Sequence, residues 1–168
     1  MSLKATIDTS VKAVFLDRDG VLNEEKEYAH RLDQLQLIPG SAEALKLLQE
    51  RGFKVIVTTN QAGIAYGYYT EQHIHVFHKA LAERLANVGA YIDAFYYCPH
   101  HAHKGKGVFK VDCQCRKPAP GMLLRAAQDF PIDLSQSFIV GDKWSDIEAH
   151  NLPNHFLGIQ FRLVGRQK

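Results

Sequence analysis

No stretch of the 168 residues is apolar for long enough to cross a bilayer, so no transmembrane helix is expected. The opening residues, Met1-Ser2-Leu3-Lys4-Ala5-Thr6, lack the apolar core of a secretory signal, and the expected location is cytoplasmic. Charge of one sign is equally scarce. Lys and Arg number 20 against 18 Asp and Glu, a net charge of +2, which argues against a general binder of nucleic acid or membrane surfaces. Cysteine is limited to three residues, all between positions 98 and 115. An odd, clustered set points to a reducing compartment and a metal, not to a disulfide framework. Repeats, linkers and low-complexity tracts are missing too. The expected organisation is an N-terminal arm over residues 1–11 and a single domain over 12–168.

What is present is a globular composition, with 46% hydrophobic and 23% charged residues. Apolar, β-rich runs predict strands over 12–17, 53–58, 92–97, 137–140 and near 155–160. Helical spacing predicts helices over 41–50 with Ser41 as N-cap, 70–88 capped by Thr70 and ended by Gly89, 120–129 opened by Pro120, and a short one near 145–150. Strands alternating with helices predict an α/β fold, a Rossmann-like doubly wound parallel sheet with helices on both faces. Residues 23–39 and 98–116 read as loops. His73, His75 and His78 read as solvated or half-buried residues of the second helix, because no acidic or thiol partner has matching spacing.

The chain is organised around Ala13-Val14-Phe15-Leu16-Asp17-Arg18-Asp19-Gly20-Val21-Leu22-Asn23. A buried strand ends there in two carboxylates and a glycine. Taken alone, Asp-x-Asp-Gly also reads as a turn. Open α/β sheets bind ligands at the carboxyl ends of their strands, and a carboxylate there can attack a substrate, move a proton or hold a hard cation. Thr58-Thr59-Asn60-Gln61 and Gly141-Asp142 end two further strands, and Arg116-Lys117-Pro118 precedes a helix. A metal held by Asp17 and Asp142, with Thr59 and Lys117 nearby, makes an anion site suited to a phosphoryl group. Asp146 reads either as a support to that metal site or as the first-turn acid of a helix.

Cys98-x-His100 and Cys113-x-Cys115 give four soft ligands on two short arms, which suits tetrahedral structural Zn²⁺. His101 and His103 are rivals for the histidine position. The same loop is basic, with Lys104, Lys106, Lys110, Arg116 and Lys117, and suits a second phosphate.

The ordered set Asp-x-Asp-Gly, Thr-Asn-Gln, Arg-Lys-Pro and Gly-Asp-Lys-x-x-Asp resembles the haloacid dehalogenase (HAD) superfamily of phosphatases from residue 12 onward. More narrowly, Asp17-Arg-Asp-Gly-Val-Leu-Asn, Thr59-Asn-Gln-Ala-Gly-Ile-Ala, Cys98-Pro-His-His and Cys113-Gln-Cys-Arg-Lys-Pro are similar to the heptose-bisphosphate phosphatases, whose sister group is the histidinol-phosphate phosphatases. Ala62 and Tyr66 depart from that pattern, where Ser and Arg are commoner. The resemblance implies a capless fold with Asp17 as nucleophile, Asp19 as acid and base, and Thr59 and Lys117 on the transferring oxygens. It implies Mg²⁺ on Asp17, Asp142 and the backbone carbonyl of Asp19, with Lys143 and Asp146 in support. It implies structural Zn²⁺ on Cys98, His100, Cys113 and Cys115. Substrate contacts are expected from Glu25, Tyr28, His30, Asn60, Gln61, Arg116 and Lys117. The expected partner is a small phosphorylated sugar, with no nucleic acid or membrane, and the chain is expected to be a monomer. A histidinol-phosphate phosphatase and a non-catalytic zinc-stabilised binding module are the competing readings.

Overall fold

The structure is a computed structural model that describes residues 10–149 and the backbone of Asn151–Leu152, His155–Phe156 and Gln160–Leu163. The apolar runs form strands β1 (Ala13–Leu16), β2 (Lys54–Asn60), β3 (Ala94–Cys98) and β4 (Phe138–Gly141), then the short pair β5 (Asn151–Leu152) and β6 (His155–Phe156), and β7 (Gln160–Leu163). Five of them make one parallel sheet in the order β3-β2-β1-β4-β7. The chain leaves β1 toward β2 on one side and returns to β4 on the other. That reversal opens a crevice beyond the carboxyl end of β1, where doubly wound sheets bind ligands.

The helices are α1 (Ser41–Glu50), α2 (Ala62–Tyr66), α3 (Glu71–Ala86), α4 (Gly121–Asp129) and α5 (Trp144–Glu148). Side chains of a strand point alternately to opposite faces. Val14 and Leu16 of β1, with Val55 and Val57 of β2, face Leu45 of α1 and Phe77, Leu81 and Leu85 of α3. Ala13, Phe15, Ile56 and Ile139 face Leu123 and Ala126 of α4 and Ala149 beyond α5. Helices thus cover both faces, as the alternation of elements requires. Between β1 and β2 stand only a 3-10 turn (Leu32–Gln34) and α1, and between β2 and β3 only α2 and α3. No cap domain is inserted among the described residues.

Some expectations change. Ser41 is the first residue of α1, not its N-cap; Gly40 takes that position with φ 83°. Helix α2 lies where only a polar strand end was read. The last parallel strand is Gln160–Leu163, while residues 155–156 pair antiparallel with 151–152. Most of the expected N-terminal arm lies outside the described residues. His78 is not solvated or half-buried: it is 5% exposed and stacks on Phe95 at 4.5 Å. It follows Phe77 on the inward stripe of α3, between the sheet and Arg18.

Leu81 is fully buried between α3 and the sheet. Leu81→Ala should cost about 2–5 kcal/mol in a urea unfolding titration, the usual range for a large-to-small change in a packed core.

Candidate active site

The alternation of β1 continues one step past its end and divides the site. Asp17 follows the Phe15 face, toward α5. Arg18 follows the Val14 and Leu16 face, toward α3. Asp17 is buried, and its N–H donates to Val140 O of β4 at 3.0 Å. One carboxylate oxygen lies 3.0 Å from Lys117 Nζ. The same ammonium lies 2.6 Å from Asp146 Oδ1 and donates to Thr58 O at 2.6 Å. Burial alone would lower the Lys117 pKa; Asp17 and Asp146 outweigh it and hold the ammonium above its ordinary value. Asn60, at the end of β2, fixes the Lys117 backbone: its Nδ2 donates to Lys117 O and its Oδ1 accepts from Lys117 N–H, both at 3.0 Å.

Asp142 follows β4, and its side chain is 1% exposed. Burial raises its pKa, and Asp17, Asp146 and Glu25 raise it further against the pull of Lys143. Oxygens of Asp17, Asp142 and Asp146 all lie within 4.8 Å of one another. Such a knot of buried carboxylates, excess in negative charge on the Asp142 side, fits a hard divalent cation. Asp146 serves both of its expected roles. Its Oδ2 accepts the Lys143 N–H at 3.0 Å at the start of α5, and its Oδ1 holds Lys117. Two glycines make the approach possible. A Cβ on Gly20, whose φ is 82°, would sit 2.5 Å from Asp142 Oδ2, and one on Gly141 would sit 2.3 Å from Asp146.

Asp19 is gripped from three sides. Arg18 NH2 donates to both of its oxygens at 2.9 and 2.7 Å, Asn23 Nδ2 donates at 2.8 Å, and Gln61 Nε2 at 3.2 Å. Gln61 also donates to Thr59 Oγ1 at 2.9 Å and accepts from the Tyr69 hydroxyl at 2.7 Å. Residue type alone marked neither Arg18 nor Tyr69. Arg18 is fully buried, donates to Ala29 O at 2.7 Å, lies 4.4 Å over the Phe77 ring and meets His78 Nε2 at 3.4 Å. Its position after Leu16, in phase with the α3 face, is the signal that would have found it.

A cavity of about 360 Å³ opens beside these groups, lined among others by Asp19, Glu25, Tyr28, Asn60, Gln61 and Lys143. Lys143 Nζ lies 3.0 Å from Glu25. His30 does not line it. Its ring stacks on Tyr69 at 4.5 Å and its Nδ1 meets Tyr28 O at 2.7 Å, so it supports the loop that carries Tyr28. Arg116 also lies outside that lining, with NH1 donating to His100 O at 3.2 Å.

Cys98, His100, Cys113 and Cys115 converge at one point. Their sulfurs are 3.5, 3.2 and 3.3 Å apart, and His100 Nδ1 is 3.4 Å from Cys115 Sγ. Tetrahedral Zn–S bonds of about 2.3 Å imply edges of about 3.8 Å, so the cluster fits that ion with slight expansion. Hydrogen bonds from Cys98, Cys113 and His100 pull the Cys115 thiol down to about 5, toward the thiolate that binds metal. His101 is turned away: its Nδ1 accepts from the N–H groups of His103 and Lys104.

A family model for haloacid dehalogenase-like hydrolases matches residues 11–150. The chain belongs to that family. Among curated relatives it is 49% identical over 138 residues to the D-glycero-beta-D-manno-heptose-1,7-bisphosphate 7-phosphatase of Pasteurella multocida, covering 82% of this chain and 74% of that one. The same-named protein of Escherichia coli is 42% identical over 140 residues, 83% and 73% of the two chains. Among solved structures, the D,D-heptose 1,7-bisphosphate phosphatase of B. bronchiseptica, complexed with magnesium and phosphate, is 33% identical with a TM-score of 0.74, covering 83% and 75%. This HAD-like hydrolase is a phosphatase of its family.

His78 ties stability to pH. Burial, then Arg18 and His75, push its pKa down to about 2, far below the ordinary 6.5. Between those values the unfolded chain binds a proton that the folded chain refuses. The contribution of His78 is therefore whole above pH 6.5 and is lost as pH falls below it, at up to about 1.4 kcal/mol per pH unit. Denaturant titrations from pH 7 to 5 should show this slope in the parent and a shallower one in His78→Gln, whose amide oxygen can still accept from Arg18.

Proposed function

We propose that this phosphatase removes the C7 phosphate of D-glycero-D-manno-heptose 1,7-bisphosphate through an aspartyl-phosphate intermediate, and that it serves the supply of heptose precursors for lipopolysaccharide or other surface glycans. The observation that carries the reading is the joint placement of Asp17 on the Lys117 ammonium and of Asp19 in a separate grip. Two carboxylates one residue apart are thereby held in different environments, as two different tasks require. The names of relatives at 42–49% identity support the choice of sugar.

In the first step Asp17 attacks phosphorus in line; the Oδ–P bond forms as the bond to the sugar oxygen breaks. Asp19 gives its proton to that departing oxygen. In the second step Asp19 takes a proton from the water that attacks the aspartyl phosphate, and the P–Oδ bond breaks. Inorganic phosphate leaves, and both carboxyl groups return to their starting states. Lys117 and Thr59 hold the transferring oxygens, and Asn60 keeps Lys117 in place. Asp17, Asp142 and the backbone carbonyl of Asp19 would hold Mg²⁺, which supplies positive charge against the phosphoryl oxygens. Structural Zn²⁺ on Cys98, His100, Cys113 and Cys115 would fix the loop that delivers Arg116 and Lys117.

Phosphate release should be fast with heptose 1,7-bisphosphate and much slower with histidinol phosphate; equal efficiency on both would remove the heptose assignment. Asp17→Asn should abolish turnover with the fold retained by circular dichroism. Asp19→Asn should slow it by about 10²–10⁴-fold, the usual worth of general acid–base help. Elemental analysis of protein purified without chelator should find about one zinc per chain. Cys113→Ala should lose that zinc and melt at a lower temperature, because the metal's binding energy is folding energy for its loop.

A further inference from the structure

Tyr28 lines two cavities. The first contains Asp19 and belongs to the reaction. The second, of about 280 Å³, is lined by Tyr28, Tyr66, Tyr68, Lys104 and Lys106. We infer that this second cavity is an anion subsite that takes the phosphate at the far, non-reacting end of a sugar bisphosphate, held by Lys104 and Lys106. The inference rests on the reading of function above and adds to it the residues that distinguish a bisphosphate from a monophosphate.

Charge divides the two cavities. The lining of the first includes Asp19, Glu25 and Glu27, with Lys143 as its cation, and Lys143 is paired with Glu25 at 3.0 Å. Carboxylates accept hydrogen bonds from sugar hydroxyls but repel a second phosphate. The second cavity has two ammonium groups and no carboxylate in its lining. Neither Lys104 nor Lys106 forms an ion pair among the described residues, in contrast to Lys117 and Lys143. A dianion next to Tyr28 is thus drawn away from the glutamates and toward the lysines.

The cup is built before any ligand arrives. The three phenol rings meet edge to face, at centroid distances of 5.9, 4.9 and 5.6 Å. Tyr28 stands in the left-handed region at φ 54°, a conformation uncommon for a side-chain-bearing residue, and the His30 contact to its carbonyl oxygen accompanies it. Tyr68 keeps 59% of its surface exposed, although aromatic rings of that size usually find cover. On the opposite wall, the Lys106 N–H donates to Ala65 O of α2 at 2.9 Å, and the Gly105 N–H to His101 O at 3.0 Å. Gly105 is so tightly enclosed that a Cβ would meet His101 O at 2.5 Å and Phe109 O at 2.6 Å. The two lysines therefore rise from a fixed backbone and lose little freedom beyond their own side chains.

The test compares kcat/KM for heptose 1,7-bisphosphate with that for heptose 7-phosphate, in the parent, in Lys104→Ala/Lys106→Ala and in Lys104→Arg/Lys106→Arg. The ratio of the two constants is indifferent to general damage to fold or chemistry. In the parent it should favour the bisphosphate by about tenfold or more, since charge-assisted hydrogen bonds to the second phosphate act only on that substrate. The alanine pair should bring it close to one, mainly through KM, and the arginine pair should keep most of it. An alanine pair with the parent's ratio overturns the subsite. A parent that cleaves both sugars equally also overturns it, yet leaves the phosphatase reading standing. A parent that cleaves neither sugar overturns the reading of function and the subsite together.

Discussion

One buried ammonium holds the centre of this molecule together. Lys117 touches carboxylates that follow β1 and lie within α5, and a carbonyl inside β2. Removing such a group from water costs several kcal/mol, and the cost is offset only when its partners are close and well placed. Without it Asp17, Asp142 and Asp146 would crowd as like charges in a low-dielectric crevice, as the raised pKa of Asp142 already records. Three separate segments of chain are thus coupled through a single nitrogen.

Arg18 plays the matching part on the other face. Its guanidinium has no exposed surface, and the Asp19 carboxylate is its ion-pair partner. It reaches the 23–39 loop through Ala29 O and helix α3 through Phe77 and His78. The neutral state of His78 follows from this, since a second cation beside a buried guanidinium is disfavoured. The two basic residues act on opposite sides of β1 because the strand alternates, so that neighbouring acids, Asp17 and Asp19, come to rest on different cations.

Much of this was legible in the sequence. The parallel sheet, the helices on both faces and the polar strand ends followed from apolar runs that stop at Asp17, Thr58-Thr59 and Asp142. The four zinc-type ligands could be read from their spacing and likeness, and the structure selects His100 over His101 by the hydrogen bonds that occupy the latter. Helix α2 was hidden because five residues that include a glycine, with no side-chain cap, carry no local signal; their helical turn is dictated by packing. The burial of His78 was hidden for a related reason. Helical spacing shows which residues share a face, but a histidine among apolar neighbours becomes a core residue only when something such as Arg18 waits for it. The relocation of the last strand from 155–160 to Gln160–Leu163 is a matter of register, which short runs define poorly.

The bracket between Asn60 and Lys117 has a wider meaning. In a sheet, each strand residue gives its N–H to one neighbour and its C=O to another. The Asn60 side-chain amide imitates that neighbour, accepting from Lys117 N–H and donating to Lys117 O. A loop residue is thereby enrolled as one extra rung of the sheet, at the edge where β2 ends. Sites built on loops are usually less exact than sites built on strands. Here the loop residue borrows the stiffness of the sheet through one amide, so that variation elsewhere in the 98–116 segment can reshape the outer cavity without loosening the ammonium at its base.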